Sequence, residues 1–143
     1  MTFLRPLLHV NIISFLYAVC LWIPCELVVN TYRLERVTGI SHLDRYLTFT
    51  NLLLFAAFTL LVFWLTAKLL GKRKIKHVSL LLWVPYFCGL IWVIAALFPM
   101  TDPQEEPLGG VGILLLGAAV LYPLYIAVIN MFVSIIAMDK TES

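Results

Sequence analysis

The sequence predicts an all-α integral membrane protein, a four-transmembrane-helix bundle with both termini in the cytoplasm. Two observations set the class. Hydrophobic residues make up 62% of the 143-residue chain and charged residues 13%, whereas a soluble domain is about half apolar and a quarter charged. Four separate stretches also reach the length of about 20 apolar residues that spans the hydrocarbon core at 1.5 Å per residue. A third observation, the distribution of Lys and Arg among the loops, gives the orientation. At this length one compact unit is expected, so residues 1–143 read as a single four-helix transmembrane domain.

The first span runs from about Leu7 to Val29. Its apolar run exceeds the core of about 7–15 residues found in a cleaved secretory signal, and it reads as a retained signal anchor. The lone Arg5 before it fits a cytoplasmic start. Near that end His9, Asn11 and Ser14 form a polar group. Near the other end Pro24 precedes Glu26, the one acidic residue expected inside a span. A carboxylate in lipid is costly and marks a functional candidate. At about one turn from the end of the helix, Glu26 also has the simpler roles of reaching the headgroups or pairing with Arg33.

The first outer loop, about Asn30 to Tyr46, carries Leu34, Val37, Ile40, Leu43, Tyr46 and Leu47 at three- and four-residue spacing. Arg33, Arg36, His42 and Arg45 fall mostly on other faces. This pattern predicts a short amphipathic helix in the interface, broken at Gly39. A connector packed on the end of the bundle has equal weight.

The second span, about Leu47 to Leu70, contains Asn51 and no proline. After it Lys68, Lys72, Arg73, Lys74 and Lys76 lie together with no acid among them, which places this loop in the cytoplasm and both termini with it. The same cluster is a candidate for anionic lipid headgroups, at about 1 kcal/mol per basic residue. The third span, Val78 to Phe98, contains Pro85 and Cys88. The loop that follows has prolines at 99, 103 and 107, which disfavour helix, and Asp102, Glu105 and Glu106 without a base. The fourth span, about Gly110 to Met138, opens on small residues and contains Pro123. Trp64 and Trp83 toward the inner side and Trp22 toward the outer are expected as interfacial anchors.

Asn11, Asn51 and Asn130 would leave amides unsatisfied if they faced lipid, so they are expected to point inward, as interhelical bonds or as the lining of a polar path with Glu26. The small residues Gly110, Gly117 and Ala118 allow close approach of another helix backbone and mark a candidate packing face. His9, His42 and His77 fall near the inner interface, in the outer loop and at the basic loop, so they are not expected to converge on a metal or haem, and no phosphate loop or nucleophile triad is present. Cys20 and Cys25, without a C-x-x-C, make a thiol oxidoreductase a weak reading. No enzyme activity, cofactor or nucleic-acid partner is therefore expected.

Four short-looped helices with both ends inside occur in small multidrug transporters, lipid-carrier flippases, accessory subunits and immunity proteins against pore-forming toxins, and architecture does not choose among them. The leading expectation is a protein that packs in the bilayer against another integral membrane protein, as an accessory subunit or immunity-type inhibitor. The alternative is a small homo-oligomeric transporter or lipid-linked flippase. A bacterial cytoplasmic membrane is the expected location.

Overall fold

The computed structural model describes residues 4–103 and 106–139. Every regular element among them is helical: α1 Leu4–Val29, α2 Thr31–Thr38, α3 Leu43–Leu69, α4 Ser79–Leu97 and α5 Gly109–Asp139, with a 3-10 turn over Lys74–Val78 leading into α4. The four long helices are long and apolar enough to cross a membrane. Such a chain has no alternative inside a bilayer, because lipid supplies no partner for an unpaired amide or carbonyl.

Pro24, Pro85 and Pro123 lie inside α1, α4 and α5, each within a continuous helix. Two glycines end helices. Gly39, at φ +68°, closes α2 by donating its amide to the Glu35 carbonyl at 2.9 Å. Gly71, at φ +44°, turns the chain after α3, its amide reaching the Thr66 carbonyl at 3.0 Å. Both positions need the left-handed backbone that glycine adopts without strain.

The apolar repeat of the first outer loop divides between two helices. Leu34 and Val37 belong to α2, while Leu43, Tyr46 and Leu47 form the first turns of α3, which starts four residues before the expected Leu47. The carboxylate of Glu35 reaches across the junction and accepts from the Leu43 amide at 2.9 Å, satisfying one of the free donors at the start of α3.

The helix α1 forms the centre of the bundle. It packs most extensively on α4 and α3, while α5 lies against α3, α1 and α4. Its buried stripe runs through Val10, Ile13, Ser14, Tyr17, Ala18, Leu21 and Cys25, spaced by one, three or four residues. The stripe meets Val62 of α3 and Leu70 just past its end, Trp83 of α4 and Ile126, Ile129 and Val133 of α5. Lipid is as apolar as leucine, so the inward face is chosen by close packing and by hydroxyls that need partners. Ser14 donates to the Val10 carbonyl at 2.7 Å and Thr59 to that of Phe55 at 2.7 Å, which satisfies each within its own helix.

Trp83 corrects an expectation. It is 3% exposed and stands edge-on to Tyr122 at 4.9 Å and Phe87 at 5.5 Å. It is a core residue joining α4 to α5, and its indole N–H is satisfied by the Leu80 carbonyl at 3.0 Å, one turn back. Trp64 remains half-exposed, with the Lys68 ammonium 4.7 Å from its ring centre.

Candidate functional site

Polar residues gather at three levels of the bundle. At the end carrying the basic loop, Asn130 of α5 is fully buried and its Nδ2 donates to the Lys76 carbonyl at 3.2 Å and to Ser79 Oγ at 3.4 Å. Lys76 departs from its expected place among the headgroup-facing bases. It is 2% exposed, and its Nζ donates to the Gly71 carbonyl at 2.7 Å, just past the end of α3. An ammonium there satisfies a carbonyl that the helix terminus leaves free. Lys68, Lys72, Arg73 and Lys74 are exposed. On the α1–α4 side Asn11 donates to the Leu7 carbonyl at 2.8 Å and accepts from the Tyr86 hydroxyl at 2.6 Å.

Midway along the bundle three tyrosines meet. The Tyr122 hydroxyl donates to the Tyr17 carbonyl at 2.7 Å. Tyr125 shares a hydrogen bond of 2.8 Å with Thr59, and its ring stacks on Tyr122 at 5.1 Å and meets Tyr17 edge-on at 6.3 Å. This cluster, with Trp83, bonds α1, α3, α4 and α5 together. Sequence reading missed it, although Tyr122 and Tyr125 at a spacing of three, facing Tyr17, carried the signal of aromatic hydroxyls needing buried partners.

At the opposite end Glu26 occupies the last turn of α1. Its Oε1 accepts from the Trp22 indole at 3.1 Å and its Oε2 from Asn30 Nδ2 at 2.9 Å. Arg33 reaches the other way, donating to the Phe98 and Pro99 carbonyls at 3.2 and 2.9 Å. Arg36 pairs with Asp102 at 3.4 Å, so α2 is tied to the loop after α4. Glu105 lies outside the described residues. Glu26 lines a cleft of about 650 Å³ between α1, α4 and α5.

The structure does not bring the three asparagines together. Asn130 sits by Lys76 and Asn11 by Tyr86, whereas Asn51 lines a recess beside Pro24, Asp44 and Thr48. Asn11 and Asn130 each link two helices, and neither lines the cleft that holds Glu26. Gly110 and Gly117 are exposed, Ala118 is half-buried, and a Cβ built on either glycine would meet nothing within 4 Å. Among the described residues no group of three His, Cys, Asp or Glu side chains is placed to hold a metal. No family model, curated protein or solved structure matches the chain.

Proposed function

We propose that this is a non-enzymatic protein of a bacterial cytoplasmic membrane, with both termini inside, that acts by packing α5 against another integral membrane protein as an accessory subunit or immunity-type inhibitor. The observation supporting this is the open space at Gly110 and Gly117. They stand seven residues apart, about two turns, on one side of the helix. A glycine within a helix costs about 0.5–1 kcal/mol relative to alanine, and among the described residues nothing closes on these two positions in return. Lipid tails pack on alanine as well as on glycine, so the benefit of a missing side chain goes to an approaching backbone. Ala118 forms the edge of this stripe, and the exposed Leu114 and Leu121 flank it as knobs for a facing helix.

Because Gly117 faces open space, Gly117→Leu leaves the fold intact and blocks the approach. Tagged protein drawn gently from its native membrane is expected to bring one foreign membrane protein in stoichiometric amount, and Gly117→Leu to lower that recovery at least tenfold with the elution profile unchanged. Equal recovery from both would remove α5 from the interface. Recovery of the chain's own copies alone would favour the homo-oligomeric transporter.

Orientation has a separate test. With Cys20, Cys25 and Cys88 replaced, Thr101→Cys is expected to react in intact cells with an impermeant maleimide, and Lys72→Cys only after the membrane is opened. The reverse pattern would invert the topology. In the proposed orientation the exposed Lys68, Lys72, Arg73 and Lys74 meet the anionic cytoplasmic leaflet.

A further inference from the structure

We infer that the cleft between α1, α4 and α5 binds a lipophilic organic cation, with Glu26 as its counter-ion. The cleft lies on the far side of α5 from the glycine stripe: Gly117 and Ala119 are two residues apart, about 160° around the helix, and Ala119 lines the cleft. The inference therefore stands apart from the proposed docking of α5.

Charge is the first argument. Both donors to Glu26, the Trp22 indole and the Asn30 amide, are neutral, and each oxygen receives one of them. An ionised carboxylate has about four acceptor positions, so half of its capacity remains. Among the described residues no basic side chain bonds to Glu26; Arg33 is held by the Phe98 and Pro99 carbonyls. A carboxylate in a membrane-spanning helix is a functional-site candidate, and with no basic side chain bonded to it among the described residues, a bound cation can supply the missing positive charge.

The walls define the rest of the ligand. Phe87, Ile91, Phe98, Leu115, Leu116 and Ala119 give the cleft an apolar lining with aromatic faces that also attract cations. Along α4 it extends from Phe87 to Ala95, eight residues or about 12 Å of helix, and ends beyond the helix at Phe98, with Glu26 near one end. A compact lipophilic cation, its charge drawn to the Glu26 end and its apolar groups against the α4 and α5 walls, matches that division. Its size class follows from the volume of about 650 Å³, within the range of about 300–1,000 Å³ that holds drug-sized molecules. A zwitterionic phospholipid fits less well, because its phosphate would follow its ammonium toward the same carboxylate.

Tetraphenylphosphonium and tetraphenylborate, of one shape and opposite charge, provide the test with the full chain in phosphatidylcholine nanodiscs. Saturable one-site uptake of the phosphonium is expected, with the borate partitioning as into empty discs. Glu26→Gln is expected to weaken phosphonium binding at least tenfold. Gly112→Phe, which fills the cleft from a position with open space around it and leaves the carboxylate in place, is expected to abolish saturation, and it carries the test alone if Glu26→Gln does not fold. Like uptake of both ions, or wild-type binding by either variant, would overturn the inference. Displacement of the phosphonium by phosphatidylethanolamine in the discs would overturn the choice of occupant in favour of a bilayer lipid.

Discussion

Trp83→Ala is expected to loosen the joint between α4 and α5 and to lower the stability of the bundle by about 1–3 kcal/mol, the sum of two aromatic pairs at about 0.5–1.5 kcal/mol each. The lost pairs are those with Tyr122 and Phe87. Truncating a tryptophan in a water-soluble core costs more, about 3–5 kcal/mol. In a bilayer, helices that separate are covered again by lipid, so the transfer from water drops out and packing remains. Trp92 supplies the comparison. It lies in the same helix but is 72% exposed, and Trp92→Ala should change stability by less than about 0.5 kcal/mol. Unfolding by steric trapping or in mixed micelles measures both, and equal losses would show that Trp83 has no special part in the joint.

Lys76→Glu should be more damaging still. The substitution sets a carboxylate toward the Gly71 carbonyl, where the lysine ammonium now donates at 2.7 Å, and so replaces a bonded ammonium at a buried position with a like-signed repulsion. Leaving a buried charge uncompensated costs about 3–5 kcal/mol, enough to reduce the yield of folded protein severely. Lys74→Glu makes the same charge change at an exposed position of the same turn. It should leave folded yield close to wild type by size exclusion, since the remaining bases still mark the loop. Lys76→Met, apolar and close in length, should fall between the two, as it loses only the hydrogen bond. If Lys74→Glu and Lys76→Glu fail alike, the damage comes from the charge of the loop and not from burial.

These two residues also show how far the sequence could be read. Length and apolarity placed four long helices to within a few residues, because a bilayer requires a minimum apolar run and each of them meets it. The rotation of each span was not legible. In water an amphipathic stripe identifies the core face, but these helices are apolar on all sides, and a tryptophan near a span end reads as an anchor whether it faces lipid or, like Trp83, a neighbouring ring. Lys76 failed for a related reason. Five bases in one loop look equivalent by composition, and only the path of the chain after Gly71 turns one of them inward. The carboxylate of Glu26 was legible as a candidate from its residue type alone. Its cleft was not, since α4 and α5 contribute residues whose leucines, isoleucines and phenylalanines differ in no way from those facing lipid.

The central position of α1 has a consequence for biogenesis. It precedes in sequence the three long helices that cover it, so its buried Ser14, Tyr17, Ala18 and Cys20 are synthesised before the residues that cover them. Were the helices to assemble in the order of synthesis, α5 would come last, its Tyr122 and Tyr125 hydroxyls meeting oxygens of α1 and α3 already in place. A chain stopped before α5 is then expected to hold α1 between α3 and α4, with the face for the last helix uncovered.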